Sequence, residues 1–228
     1  MTQQPERTAG TRLLMGGLLL AAALLSACAT KPPEPYDYTA FKASRPASLL
    51  VLPPLNQSPD VKATYGVLSQ VTLPLAESGY YVVPVSLMDE TFRDNGMTTP
   101  ADIHALEPGK LREIFGADAA VYIAVKNYGT SYNVVSGDAV VVLDAKIVDL
   151  RNGQLLWQGS ASASSGENKG SNQGGLVGLL VQAIVSQVLN SATDMSFKVA
   201  GVANNRLLSL HRVNGVLPGP RYVAPKKE

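Results

Sequence analysis

Residues 48–85 read SLLVLPPLNQSPDVKATYGVLSQVTLPLAESGYYVVPV, and this stretch decides the fold. The apolar run Ser48–Leu52, closed by a pair of prolines, is typical of a buried strand. Apolar residues then recur at helical spacing over Lys62–Ser78, where Pro74 is expected to kink or divide the helix. Tyr80–Val85 predicts the next strand. A strand, a helix and a strand within about 40 residues indicate a βαβ unit, whose two strands are parallel.

The next segment of the chain predicts short helices that lead to a third strand. Ser86–Asn95 is expected to be helical, with its first residue as the N-cap. Asp89 and Glu90 would then lie in the first turn, where the helix dipole favours carboxylates. Pro108–Phe115 predicts another helix. The strand Ala120–Val125 follows, and since it is reached through helices it should be parallel to the first two.

The second half of the chain changes to long β-rich runs. Tyr122–Val134, Asp138–Asp149 and Gln154–Ala163 are separated by turn signals at Ser136-Gly137-Asp138 and Arg151-Asn152-Gly153. One face of the middle run is formed by Val141, Leu143, Ala145 and Ile147. That alternation is typical of an antiparallel sheet covered on one side. The predicted fold class is α/β, with a mixed sheet, a βαβ first half, an antiparallel β-meander in the second half, and packed helices.

The N-terminus carries the pattern of a bacterial lipoprotein signal. A pair of arginines precedes the apolar segment Leu13–Leu25, which is too short to span a bilayer comfortably. The segment ends Leu25-Ser26-Ala27-Cys28, a lipobox, so cleavage is expected between Ala27 and Cys28. The Cys28 thiol would carry diacylglycerol, and its amine a further acyl chain such as palmitate, which anchors the protein to a membrane. The alternative is an ordinary secretory signal beside an incidental cysteine.

The composition of the mature chain limits its partners. Cleavage removes two arginines and one glutamate from a chain with 19 basic and 18 acidic residues, which leaves 17 of each and no net charge. Such a chain has no long-range field for nucleic acid. Since Cys28 is the sole cysteine, the sequence excludes intramolecular disulfides and cysteine-rich metal sites. Position 29 is Ala and not the Asp that commonly retains lipoproteins at the inner membrane, which favours the outer membrane.

Four parts are predicted along the chain. Residues 1–27 are the signal peptide, and residues 28–47 are the lipidated N-terminus with a Pro-rich tether. Residues 48–212 form a single α/β domain, and residues 213–228 form a Pro-rich C-terminal tail. Within the domain, the Ser- and Gly-rich segment Gly159–Gly175 is expected to be a loop.

The segment Leu176–Leu189 is almost wholly apolar, with a narrow polar stripe along Gln182, Ser186 and Asn190. A helix of this kind must be buried on most of its circumference. Either it is central to one fold, or one of its faces meets a second copy of the chain or a partner protein. The residues that would form this self-association surface are Leu176, Leu179, Leu180, Ala183, Ile184 and Val188.

No constellation in the sequence predicts catalysis. His104 and His211 lie in separate predicted helices without a ligand-spaced partner. The serines between positions 160 and 171 lack a Gly-x-Ser-x-Gly elbow. Asp89 and Glu90 are explained by their predicted place in a first helical turn. We therefore predict no catalytic residue, no metal ligand and no cofactor.

Five runs, spread over most of residues 36–160, carry a family resemblance. They are Asp37-Tyr38-Thr39-Ala40-Phe41, Leu52-Pro53-Pro54-Leu55-Asn56, Pro74-Leu75-Ala76-Glu77-Ser78-Gly79-Tyr80-Tyr81, Asp89-Glu90-Thr91-Phe92 and Ile114-Phe115-Gly116-Ala117-Asp118. Together they resemble outer-membrane lipoproteins of unknown function from beta- and other proteobacteria, including a conserved meningococcal lipoprotein. The resemblance implies a fold like the N-terminal domain of TolB, and kinship with the lipoproteins CsgG and LpoB. It also implies other envelope lipoproteins as partners, and it transfers only Cys28 as a site.

The expected function is that of a non-catalytic accessory in a cell-envelope assembly or transport complex. The protein would be lipid-anchored in the outer membrane, face the periplasm and associate as a homodimer. The alternative is a subunit of a curli-type secretion channel, which needs membrane-crossing strands of roughly 9–11 residues. Because the Gly159–Gly175 segment is polar and short, and the β-meander is needed for the core, the sequence favours the accessory role.

Overall fold

The computed structural model describes residues 34–133, 136–167, 195–210 and 212–224. The chain divides into two compact units, residues 1–35 and residues 36–228. All the helices and strands given below belong to the second unit.

Six strands form one mixed sheet in the described part of the chain. They are β1 Ser48–Val51, β2 Leu55–Asn56, β3 Tyr81–Val82, β4 Ala119–Asn133, β5 Ser136–Asp149 and β6 Leu155–Ser164. The order across the sheet is β3-β1-β4-β5-β6, with β2 beside β4. β1 is parallel to both β3 and β4, whereas β4, β5 and β6 pair antiparallel. The predicted βαβ unit and the predicted meander are both confirmed.

Seven helices are described within the same ranges. They are α1 Thr39–Ser44, α2 Ala63–Leu68, α3 Thr72–Glu77, α4 Val85–Asp94, α5 Pro100–His104, α6 Pro108–Phe115 and α7 Met195–Leu208. The helix predicted over Lys62–Ser78 is divided into α2 and α3. Pro74 is the third residue of α3, where its missing N–H costs little because the first four N–H groups of a helix have no partner within it.

The start of α4 differs from the prediction. The helix begins at Val85, so Ser86 is its second residue and not its N-cap. The strand predicted over Tyr80–Val85 is correspondingly reduced to β3. Met88 and Phe92, one turn apart on α4, are both buried. Burial of this face outweighs the capping preference of a single serine, which is worth only about 1 kcal/mol.

Two predicted loops are partly strand. β4 and β5 pair as far as Asn133 opposite Ser136, so the turn predicted at Ser136-Gly137-Asp138 lies inside β5. β6 continues to Ser164, which is within the loop predicted at Gly159–Gly175. Both differences have the same cause, since pairing along a long hairpin satisfies backbone groups that local turn preferences would leave to water.

The two faces of β5 differ in burial. Val141, Leu143, Ala145 and Ile147 are buried, as their alternation predicted. α7 packs against β5 and β6 and contributes buried residues to the same core, namely Val199, Ala200, Ala203, Leu207 and Leu208. The meander is therefore covered by α7 on its apolar face.

The N-terminal end of the second unit is folded and not extended. Residues 39–44 form α1, and Phe41 is buried in the core. The compact unit begins at Tyr36, within the tether predicted over residues 28–47. Prolines around this segment indicated an extended chain, but burial of an aromatic side chain stabilises the folded arrangement.

The C-terminal segment is docked by backbone hydrogen bonds. The N–H of Gly219 donates to the carbonyl of Ser78 at 2.8 Å, and the N–H of Arg221 donates to the carbonyl of Gly79 at 3.2 Å. Val216 is buried. The tail predicted over residues 213–228 is therefore part of the compact unit as far as residue 224, where the description ends.

We expect Gly79→Ala to lower the free energy of unfolding by about 2 kcal/mol. Gly79 has φ +88°, and a Cβ at this position would lie 2.3 Å from the backbone nitrogen of Tyr222. Gly96→Ala is the matched control, because Gly96 has φ +77° with nothing within 4 Å of its Cβ position. The control should cost about 1 kcal/mol from backbone strain alone. Urea unfolding followed by circular dichroism measures both; equal losses would contradict a docked tail.

Candidate functional site

The residues that the sequence singled out as sites lie outside the described ranges. Ala27 and Cys28 precede residue 34, and the predicted self-association surface falls between residues 168 and 194. This surface comprises Leu176, Leu179, Leu180, Ala183, Ile184 and Val188. The lipidation site, the cleavage site and the self-association surface therefore stay predictions. His211 is likewise outside the described residues.

His104 occupies a structural position at the end of α5. Its Nε2 lies 2.9 Å from the carbonyl oxygen of Pro53, and its ring meets the Tyr122 ring edge-to-face with centroids 5.2 Å apart. Burial lowers the pKa of His104 below its usual value. Among the described residues there is no group of three or more His, Cys, Asp or Glu side chains that could hold a metal ion.

Asp89 lies at a different position in its helix from the one that the sequence predicted. It is the fifth residue of α4, beyond the first turn, so the helix-dipole explanation for Asp89 and Glu90 is wrong. Arg93 forms an ion pair with Asp89 at 3.0 Å and donates to the Tyr65 hydroxyl at 2.8 Å. The Tyr65 hydroxyl in turn donates to Asp89 at 3.2 Å. The cluster ties α2 to α4, which is a structural role.

Asp149 is the most strongly bound carboxylate at the end of the sheet. Its side chain is 2% exposed and accepts hydrogen bonds from the Arg151 guanidinium and from the Ser44 hydroxyl, the latter at 2.7 Å. The Arg151 hydrogen bond is the main reason that the pKa of Asp149 is lowered to about 2. Ser44 lies 105 residues from Asp149 along the chain, so local sequence patterns contained no signal for this contact.

Both ends of the second unit meet at Trp157. The indole N–H of Trp157 donates to the Asn214 carbonyl at 2.9 Å, and the Tyr36 N–H donates to the Asn214 side-chain oxygen at 3.0 Å. The Tyr38 hydroxyl donates to the carbonyl of Gly215. These contacts, which we call the terminal clasp, hold the first residues of the unit against its C-terminal segment.

One face of β5 and β6 presents polar and small side chains to solvent. The residues that alternate with the buried set are exposed or half-buried, and we call them the open face. They are Val140, Val142, Asp144, Lys146, Gln158, Ser160, Ser162 and Ser164. Asp144 accepts from the Ser160 hydroxyl and lies 3.6 Å from the Lys126 ammonium. The open face is mixed in charge and made of strand residues and not of a cavity lining, which suits a protein partner better than a small molecule in a concave pocket.

No helix in the described part of the chain is long and apolar enough to cross a membrane.

The comparisons with known proteins point to one group. A family model described as "Putative lipoprotein GNA1162-like" matches residues 36–221. The chain is 50% identical over 211 residues to "Putative lipoprotein NMB1124/NMB1162" of Neisseria meningitidis serogroup B, which covers 92% of this chain and 96% of that protein. The crystal structure of lipoprotein GNA1162 from Neisseria meningitidis is 53% identical with a TM-score of 0.53, and covers 64% of this chain and 100% of that one.

A more distant likeness concerns the C-terminal domain of LpoB from Salmonella enterica. It is 16% identical with a TM-score of 0.39, and covers 63% of this chain and 92% of that one. A likeness at this level carries no argument about function.

Proposed function

The chain belongs to the GNA1162-like lipoprotein family, and from this premise we propose that it is anchored through Cys28 in the outer membrane and acts there as a non-catalytic interaction module. The observation that carries the proposal is the family match over residues 36–221, preceded in the sequence by the lipobox Leu25-Ser26-Ala27-Cys28. Acyl chains on Cys28 would make the attachment effectively permanent.

The periplasm-facing orientation is inferred from the lipoprotein signal, and the accessory role is supported by the character of the described surface. The titratable groups His104, Asp89 and Asp149 are each engaged in contacts that stabilise the fold. The open face offers a largely polar surface on two paired strands. We infer that this face binds another protein of the cell envelope, in keeping with partners among other envelope lipoproteins.

Cys28→Ser tests the anchor. We expect the variant to lose incorporation of labelled palmitate and to leave the outer-membrane fraction, because the thioether-linked lipid requires the thiol. Ser26→Ala is the matched control, since it keeps a small residue in the lipobox and should be processed normally. Retention of the label by Cys28→Ser would overturn the lipid assignment.

Self-association through the segment Leu176–Leu189 is a second part of the proposal, and its support is the apolar pattern of the sequence. We expect Leu180→Glu to reduce the mass of the detergent-solubilised lipoprotein from dimer to monomer in sedimentation velocity. Gln182→Glu places the same charge on the polar stripe and should leave the mass unchanged. A monomeric parent protein across micromolar concentrations would refute the dimer.

A planar-bilayer measurement separates the accessory role from a secretion channel. An interaction module without membrane-crossing hairpins should give no conductance at any protein concentration tested. Stepwise conductance from the purified lipoprotein would favour the channel.

A further inference from the structure

The outer edge of β6 ends the sheet. Within the described residues no strand pairs with this side of β6. In an antiparallel pair, alternate residues direct both backbone groups away from the partner strand. On β6 these residues are Gln158, Ser160, Ser162 and Ser164, as the partners of their N–H and C=O groups indicate. An edge of this kind is a template for another strand.

β6 lacks most of the usual protections of an edge strand, and its irregularity in pairing with β5 lies at its start, between Leu155 and Trp157. The strand reads LLWQGSASAS, with no charged residue and no proline. Natural edge strands are commonly protected by charged side chains, by proline, by bulges or by shortness. β6 pairs with β5 over most of its 10 residues, so its length gives no protection either.

Side chains from other parts of the chain form hydrogen bonds with the outward-facing backbone groups of β6 instead. The Arg212 guanidinium donates to the Ser160 carbonyl at 2.9 Å, and the Arg206 guanidinium of α7 donates to the Ser162 carbonyl at 2.8 Å. Further along the strand, the Ser164 N–H donates to the Glu167 carboxylate at 2.8 Å.

Arg206 and Glu167 hold each other in place over this edge. The guanidinium donates to both carboxylate oxygens, with Nη1–Oε1 at 3.0 Å and Nη2–Oε2 at 2.6 Å. A bidentate pair of this kind adds geometric specificity as well as energy. Arg206 also binds the Ser162 carbonyl, and Glu167 binds the Ser164 N–H. The ion pair therefore occupies two successive outward-facing residues of β6.

We propose that Glu167, Arg206 and Arg212 form an edge seal, which prevents β6 from pairing with β6 of a second copy of this chain. The occupant is a second copy because the strand is self-complementary. Two β6 strands related by a two-fold axis would align antiparallel, and the small residues Gly159 to Ser164 allow their backbones to approach without steric conflict.

The test removes the two arginine side chains of the edge seal and leaves the sequence of β6 unchanged. Arg206→Ala combined with Arg212→Ala removes both carbonyl caps, and the variant is made in the full lipoprotein and purified in detergent. We expect its weight-average mass, measured by sedimentation, to rise at least twofold relative to the parent protein, because a dimeric parent would expose two opened edges. The matched control is Arg93→Ala combined with Arg221→Ala, which removes the same charge from other surfaces and should leave the mass of the parent unchanged.

A third substitution distinguishes edge pairing from other association. Ser162→Pro added to the opened variant removes a backbone N–H that faces outward and blocks strand pairing, at a position where an edge strand tolerates proline. The mass should return to that of the parent. Far-UV circular dichroism establishes that each variant is folded. A folded opened variant whose mass equals that of the parent, or a raised mass that Ser162→Pro leaves unchanged, would overturn the edge seal. Both outcomes are independent of the Leu176–Leu189 surface, because that surface is present in every variant.

Discussion

Replacement of Trp157 by alanine is expected to lower the free energy of unfolding by about 3–5 kcal/mol. Trp157 is fully buried at the start of β6, and its indole lies so close to Gly159 that a Cβ there would come within 2.6 Å of the ring. The truncation would leave a large cavity, because the surrounding sheet cannot collapse into the vacated volume. It would also remove the indole donor to the Asn214 carbonyl at 2.9 Å.

The measurement for Trp157→Ala is urea unfolding followed by far-UV circular dichroism, since the protein contains a single tryptophan and its fluorescence is lost in the variant. Trp157→Phe is the control, because it keeps most of the apolar volume while it removes the N–H donor and one ring of the indole. Its cost should be about 1–2 kcal/mol. The alanine variant should also expose the terminal clasp to proteases near Tyr36. A loss below 1 kcal/mol for alanine would contradict the packing described.

Asp149→Asn is expected to lower the free energy of unfolding by about 2–3 kcal/mol at pH 7. The carboxylate is 2% exposed, while Arg151 is 43% exposed, so the loss should fall below the range for a fully buried pair. Asparagine keeps the shape of the side chain but is neutral, so the hydrogen bonds that it accepts from Arg151 and Ser44 are weaker. Glu113→Gln, at an exposed carboxylate, is the control and should stay within about 0.5 kcal/mol of the parent.

The same carboxylate makes stability depend on pH. Because the pKa of Asp149 is about 2 in the folded protein and 3.8 in its reference state, its contribution is present above about pH 4 and is lost as the pH falls towards 2. The difference corresponds to about 2 kcal/mol. We expect the stability of Asp149→Asn to fall less steeply over this interval than that of the parent. Parallel curves between pH 5 and pH 2 would refute the assignment.

The elements that the sequence predicted correctly depend on local patterns. The alternation of Val141, Leu143, Ala145 and Ile147 indicated one buried face, and the structure confirms it. The turn after Asp149 and the division of the predicted helix between Leu68 and Thr72, just before Pro74 in the first turn of α3, also follow from residues that act on their immediate neighbours. Hydrophobic periodicity and turn- or helix-breaking residues were sufficient to predict these elements.

The wrong predictions arose where a local preference competed with packing. A serine at position 86 favours a cap, yet burial of Met88 and Phe92 places it inside α4. Gly137 and Asp138 favour a turn, yet cross-strand pairing with β4 keeps them in β5. In both cases packing and strand pairing contribute more to stability than the local preference of one residue does. A single sequence does not reveal that tertiary contribution.

The sequence by itself determined the βαβ unit, the three strands of the meander and the lipobox at Cys28, because each of them is encoded in neighbouring residues. Only the tertiary structure decided which polar groups meet. Tyr36 and Asn214 are 178 residues apart, Ser44 and Asp149 are 105 apart, and Arg206 and Ser162 are 44 apart. Contacts over such separations follow from the packing of whole elements, since hydrogen bonds form between groups that the fold has brought within about 3 Å of one another.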